Sequence, residues 1–371
     1  MKTTRRVLSL LLALVIVIGV LPYSAGASDD RDLADYQAYS QQTVVLEGEE
    51  YTSVEDAALA LRQALKARET EIPISFRFEG MSIQEIGDIL LEMAFGHTGD
   101  PIEGDYLRWQ VGRHGWSCSY GQKDNVIWGT IYFSVNYHAS KEQEAEMDEA
   151  VDALLNELDL WDASDYEKVV GVYEWMCQNI TYDYDNLSDQ SYTLKFSAYA
   201  ALVNRTAVCQ GCASLLYRLL MTLGVDNRVI TGIGNGGAHA WNIVALDGLY
   251  YDADATWDAI YRQAGWDYQF FLLPEAEFLD HERNPEYLTN DFMVSYPMGQ
   301  SAYQPFMNGD IDLDGDVDAK DLTMLARHVA GIEMLVHAVA LANADVNCDG
   351  TVDANDLTMH ARYVAGIITS W

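Results

Sequence analysis

Apolar side chains recur along the first third of the chain in two rhythms. Ala58, Leu59, Leu61 and Leu65 fall at helical spacing behind Ser53 or Thr52, either of which can cap a helix start. Ile72, Ile74, Phe76 and Phe78 then occupy every second position, the period of a strand. Ser82 with Glu85 three residues on is a capping box that opens a second helix. Two aromatic-rich stretches with glycine turns, 106–120 and 126–137, are expected to be strands, their rings forming a sheet core rather than a carbohydrate- or peptide-binding face. A helix is expected over 142–158, and Ser164-Asp165 starts another. This mixture makes 28–140 an α+β accessory domain.

The next stretch is organised differently. Leu215, Leu216, Leu219, Leu220 and Leu223 follow Cys209 at helical spacing, and Gly224 is a C-terminal stop. Cys209 therefore stands at the first turn of an apolar helix, where free N–H groups and the helix dipole favour a thiolate. Further on, 239–246 and 249–256 read as a hairpin, because Asp247-Gly248 suits a two-residue type I′ turn. Pairing Leu246 with Leu249 sets Trp241 opposite Asp254 and His239 opposite Thr256. That register makes His239 and Asp254 diagonal neighbours on one face, with Asp252 on the same face further along. A helix-start cysteine, a strand histidine and a strand aspartate form a Cys-His-Asp nucleophilic site. Cys209 and Cys212 also make a Cys-x-x-Cys, the spacing of a redox pair or half a zinc site. No second pair completes a zinc tetrad.

Ala207-Val208-Cys209-Gln210-Gly211-Cys212-Ala213, His239-Ala240-Trp241 and Asp254-Ala255-Thr256-Trp257 stand in order behind Tyr173-Glu174-Trp175-Met176 and Ile180-Thr181-Tyr182-Asp183-Tyr184. Together they resemble the transglutaminase-like family of the papain-like cysteine proteases, over roughly 145–295. The resemblance implies a papain-like catalytic domain, set at 141–295. Cys209 would be its nucleophile, His239 its base and acid, and Asp254 its orienting carboxylate. Gly211 would permit close approach at the helix start, Tyr182 and Tyr184 would line the cleft, and Trp266–Leu273 would complete the sheet. The implied reaction is thiol acyl transfer at a carboxamide with no catalytic cofactor. Water as acceptor gives a peptidase of peptide or protein substrates; a lysine amine gives a cross-linking transglutaminase. A non-catalytic structural or binding role is the third possibility.

The C-terminal part contains a repeat. Asp321-Leu-Thr-Met-Leu-Ala-Arg-His-Val-Ala-Gly-Ile332 returns as Asp356-Leu-Thr-Met-His-Ala-Arg-Tyr-Val-Ala-Gly-Ile367. Each copy follows an acidic loop with calcium-binding oxygen spacing. The first would use Asp310, Asp312, Asp314, the carbonyl of Asp316, Asp318 and Asp321, with Gly315 at the turn. The second would use Asp345, Asn347, Asp349, the carbonyl of Thr351, Asp353 and Asp356, with Gly350. Loops ending in Asp, each followed by one helix, resemble a type I-like dockerin over 309–371, reached by a linker at 296–308. The resemblance implies a small all-α module holding two Ca²⁺ ions. It also implies docking to a cohesin of a scaffoldin through Ala319, Lys320 and Arg327, and through Ala354, Asn355 and Arg362.

Charge and chain ends narrow the picture. With 57 acidic against 22 basic residues the formal net charge is −35, which argues against nucleic acid or anionic membrane as partner. Residues 1–27 read as a secretory signal, with Lys2, Arg5 and Arg6 before an apolar run and Ala25-Gly26-Ala27 at the cleavage site. No membrane association is expected after its removal. The expected location is extracellular and cellulosome-associated. Five scattered cysteines, an odd number, leave at least one thiol free or paired between chains.

Overall fold

A computed structural model of the chain describes residues 48–304, 307–312, 316–335 and 338–371. The expected signal segment, residues 28–47, and Asp314 with Gly315 lie outside the described residues. The chain falls into two compact units that divide between Ala302 and Tyr303.

The first sheet of the larger unit follows the alternating pattern. It comprises β1 (Glu50–Tyr51), β2 (Glu71–Glu79), β3 (Val111–Lys123) and β4 (Val126–Tyr137), in the order β1-β2-β4-β3. Ile72, Ile74, Phe76 and Phe78 are all buried. Helix Val54–Lys66 starts at Ser53, whose hydroxyl accepts from Asp56 N–H. Its Leu61 and Leu65 are buried, but Leu59 is exposed and lies off the apolar stripe. Helix Ile83–Ala94 begins with the expected Ser82/Glu85 capping box.

The expected strand over 106–120 starts five residues late, because Gly104–Gln110 is a helix. Tyr106, Leu107, Trp109 and Gln110 are all buried, so nearly all of this short helix is enclosed and only Arg108 reaches solvent. Neither period 2 nor a polar face survives there to be read from the sequence. The helix ties the first sheet to the central helix and second sheet described below. Asp105 accepts from Arg228 Nε at 2.7 Å and from Val229 N–H at 2.8 Å. Gln210 Nε2 donates to the Trp109 carbonyl at 2.9 Å.

Helices Lys141–Leu158 and Asp165–Asn179 each open with a capping box, at Ser140 and Ser164. Short strands β5 (Thr181–Tyr182) and β6 (Thr206–Ala207) pair in parallel and lead into the central helix Cys209–Thr222. Leu215, Leu216, Leu219 and Leu220 are wholly buried in it, and Gly224 follows with φ +82°. Gly211 is required by packing: a Cβ there would meet the Ser197 carbonyl oxygen at 2.8 Å and Ala207 Cβ at 2.9 Å.

The second sheet is antiparallel, made of β7 (Asn227–Gly234), β8 (Gly237–Leu246), β9 (Leu249–Ala253) and β10 (His281–Arg283), in the order β10-β7-β8-β9. Asp247 and Gly248 take φ +52° and +78°, the left-handed pair that a type I′ turn needs, and Leu246 pairs with Leu249 as expected. Pairing ends at Asn242 with Ala253, however. Asp254 leaves the strand to cap helix Ala255–Gln263, so the expected oppositions of Trp241 with Asp254 and His239 with Thr256 do not form. Residues 266–273 do not complete the sheet either. Beyond one bridge between Leu273 and Asp252 they form no strand, and β10 closes the other edge against β7.

The smaller unit contains helices Ala319–Val329, Ala338–Ala344 and Ala354–Val364 around Ile311, Leu325, Ala340 and Ala344. The middle helix is absent from the expected one-helix-per-loop plan. The whole is α+β, with a small helical unit at its C-terminal end.

Candidate active site

Three elements bring the expected residues together. The central helix begins at Cys209, after an N-cap, Val208, that has no side-chain acceptor to occupy the first turn. Strand β8 supplies His239, and the turn after β9 supplies Asp254. His239 Nε2 lies 2.7 Å from Asp254 Oδ2, both side chains being buried. Cys209 stands close enough to the same imidazole to favour its charged form. With Nε2 committed to Asp254, Nδ1 is the nitrogen left for the thiol.

Burial opposes a charge on His239, but the Asp254 carboxylate, its bond to the ring and the nearby Cys209 outweigh it. The imidazole is raised to about 10. Burial likewise opposes charge on Asp254, and His239 reverses it, holding the carboxyl well below its usual range. Trp257 stacks on the His239 ring at 4.9 Å between centroids and restricts its rotation.

Asp254 serves two elements at once. Its Oδ1 accepts the backbone N–H groups of Thr256 at 2.9 Å and Trp257 at 3.2 Å, which caps the helix. Its Oδ2 faces His239. Asp252, two residues earlier, has other partners. It accepts from Trp241 Nε1 at 2.8 Å and from Arg283 at 2.8 and 2.9 Å.

Cys212 diverges from Cys209. It is buried beside Thr256, and burial raises its thiol to about 12, whereas Cys209 is partly exposed. Cys177, also buried, is raised too. Tyr182 and Tyr184 leave β5 with ring centroids 4.9 Å apart; Tyr182 borders a small cavity with Cys212, Thr256 and Met176, and Tyr184 is exposed.

Two residues at the site carry no sequence signal. Lys195 turns inward, and its ammonium donates to the carbonyls of Asn186 and Asp189 at 2.6 Å and of Leu187 at 3.2 Å. It thereby braces the loop after Tyr184, while its own carbonyl accepts Val208 N–H at 3.1 Å, one residue before Cys209. His281, on β10, places Nε2 3.3 Å from Asp254 Oδ2. Neither position belongs to a periodic run, and only the fold brings His281 across 27 residues to Asp254.

His239, Asp254 and His281 also present potential ligand atoms within 4.8 Å of one another. Two ligands of a tetrahedral zinc would stand roughly 3.3 Å apart. The 2.7 Å contact of His239 with Asp254 is instead that of a hydrogen bond.

In the smaller unit, Asp310, Asp312 and Asp321 bring carboxylate oxygens within 4.8 Å of one another. Asp321 draws in the loop by accepting from Ile311 N–H at 2.7 Å and Asp312 N–H at 2.9 Å. Asp318 caps the following helix, and Asp316 is exposed. The second loop repeats this. Asp356 accepts from Asn347 and Asp353 N–H, Asp345 from Asp349 and Gly350 N–H, and Asp349 from Thr351. Gly350 turns at φ +88°. An all-oxygen set of this kind suits a hard divalent cation. Ala319, Lys320 and Arg327 are exposed, as are Ala354, Asn355 and Arg362 at the corresponding positions.

The profile of the transglutaminase-like superfamily matches residues 152–257, and that of the dockerin type I domain matches residues 308–365. The chain is similar to the kyphoscoliosis peptidase of Mus musculus, 28% identical over 130 residues, which covers 32% of this chain and 20% of that protein. The Homo sapiens counterpart is 27% identical over 157 residues, covering 39% and 23% respectively. The chain thus spans about a fifth of the length of these relatives. The crystal structure of a TGase aligns with 52% of this chain and 56% of its own, at 18% identity and a TM-score of 0.29. The chain contains a transglutaminase-like domain and a dockerin type I domain.

Proposed function

We propose that this transglutaminase-like domain is a secreted cysteine peptidase, carried to a cellulosome-type complex by its dockerin. Residues 28–140 form its accessory domain, 141–295 the catalytic domain, 296–308 a linker and 309–371 the dockerin. Cys209 attacks a peptide or protein carboxamide carbon. Its own backbone N–H contributes to the oxyanion hole, His239 carries the proton from thiol to leaving amine, and Asp254 fixes the ring. Water then releases the acyl group. The observation that carries this reading is the 2.7 Å His239–Asp254 bond, with Cys209 at a helix start close enough to favour the charged imidazole. The peptidase designation of the relatives favours water over an amine as acceptor.

The dockerin would hold two calcium ions, one in each acidic loop, and present Ala319, Lys320, Arg327, Ala354, Asn355 and Arg362 to a cohesin. Asp310, Asp312, Asp314, Asp318 and Asp321, with the Asp316 carbonyl, would hold the first ion. Asp345, Asn347, Asp349, Asp353 and Asp356, with the Thr351 carbonyl, would hold the second. Dockerins bind cohesins, and this supports an extracellular location.

The test is mass analysis of mixed protein substrates incubated with the mature chain or with Cys209→Ala, under reducing conditions and with a primary amine present. New termini are expected with the unaltered chain and a loss of at least about a thousandfold in their rate of appearance with Cys209→Ala. Amine adducts would make it a transglutaminase instead. No product in either sample would leave the domain a binding component.

A further inference from the structure

Asp254 is wholly buried, yet its two oxygens accept four hydrogen bonds. A carboxylate offers about four acceptor directions, so the whole set is in use. Three of the donors have an evident role, since two backbone N–H groups begin a helix and His239 is the proposed base. The fourth, His281 Nε2 at 3.3 Å from Oδ2, has none in a Cys-His-Asp mechanism.

His281 is not free to be elsewhere. Its side chain is 1% exposed. The rings of Phe278, Trp257, Trp241 and Phe270 surround it, with centroids at 4.2, 4.3, 4.9 and 5.2 Å. Nδ1 lies 3.1 Å from the Leu279 carbonyl oxygen, and because this oxygen and Asp254 Oδ2 both only accept, the two contacts together require a ring that carries both protons, an imidazolium set against the carboxylate. The backbone of β10 is held in turn by its pairing with β7. The imidazole is a fixed anchor whose remaining polar edge meets the carboxylate.

The Cβ–Cγ torsion of an aspartate is soft, with broad rather than sharply staggered preferences. Were Oδ2 bonded only to His239, carboxylate and imidazole could swing together about the backbone-held Oδ1. A second, immobile donor on Oδ2 removes that freedom. We infer that His281 is a positioning residue for the thiol chemistry, locking the rotation of Asp254 and so aiming the His239 ring at Cys209. This rests on the Cys209-His239-Asp254 reading above.

Alkylation of the full chain by iodoacetamide tests it without a known substrate. The rate at Cys209 is followed by peptide mass analysis, with Cys209→Ala as the blank. His281→Gln sets an amide N–H near the place of Nε2, whereas His281→Phe keeps an aromatic ring in the aromatic pocket but donates nothing. If His281 positions Asp254, the Phe variant loses about tenfold or more in rate and the Gln variant stays within about threefold of the unaltered chain. A packing role gives the reverse order, with Phe tolerated and Gln not, and would overturn the inference, as would equal rates in all three.

Should the Phe variant fail to fold, nitrogen-15 spectra of the unaltered chain decide. A slowly exchanging proton on His281 Nε2 is expected, and an unprotonated Nε2 sinks the idea. If Cys209 of the unaltered chain reacts no faster than exposed Cys348, it is the triad reading that fails. A fast Cys209 indifferent to His281→Phe fails only the positioning role.

Discussion

The candidate active site and the acidic loops are both clusters of side chains around a charge, but they are built in opposite ways. Each loop is one run of about a dozen residues whose own backbone bends round to face its carboxylates. Asp356 gathers Asn347 and Asp353, all within ten positions. The candidate active site takes Cys209 from a helix, His239 from a strand, Asp254 from a turn and His281 from an edge strand, and it exists only when these pack. A local site can be read from spacing. A tertiary one depends on every element that positions it, and so on the stability of the unit around it.

The largest expected effect that sharpens this contrast lies at Asp254. Asp254→Asn keeps an Oδ1 acceptor for the helix start but gives up the charge facing His239. The reaction should slow by about 10³–10⁴-fold, and the thermal midpoint should fall only by the part owed to the charge on His239, since the helix cap is kept. A midpoint that collapses with the rate would mean that the capping role dominates, and the site would be inseparable from its scaffold.

Chelation should have the complementary outcome. Adding EDTA is expected to remove helical circular dichroism contributed by the smaller unit and to abolish cohesin capture. Alkylation of Cys209 should stay within about twofold of its original rate, because structural metal energy is local folding energy. Slowed alkylation would break the comparison by tying the catalytic region to calcium.

The smallest effect concerns pH. The ordinary imidazole value is near 6.5 and His239 is raised to about 10, so its contribution to stability is complete below about 6.5 and is lost as pH rises through about 10. The gap in thermal midpoint between the unaltered chain and His239→Gln should therefore narrow from about pH 6.5 to about 10.5. A constant gap would show that Asp254 does not hold His239 charged.

The same contrast explains what was legible in the sequence. The Asp247-Gly248 turn sets the hairpin register, and the capping box at Ser82 and the Ser164-Asp165 pair set helix starts, since each is a local device. The repeated acidic loops were equally plain. The hairpin register puts Asp254 beside His239 for a partly wrong reason: strand pairing stops at Ala253, and the aspartate before Ala-Thr-Trp caps a helix instead. Helix Gly104–Gln110 is hidden because all of it but Arg108 is buried, which erases periodicity. Lys195 reads as an ordinary surface lysine until three carbonyls close on it. His281 had no pattern at all, because its meaning comes entirely from β10 lying beside β7.

The residue that winds the first turn of helix Ala255–Gln263 is also the one that orients the imidazole. If that turn frays, the carboxylate loses two backbone donors at once and the base loses its aim, while the rest of the fold stays intact. On the proposed reading, activity is thereby coupled to the first turn of a nine-residue helix as well as to the global melting of the domain. On that reading, a substrate or denaturant that pulls this turn apart would disarm the triad while the rest of the domain stays folded.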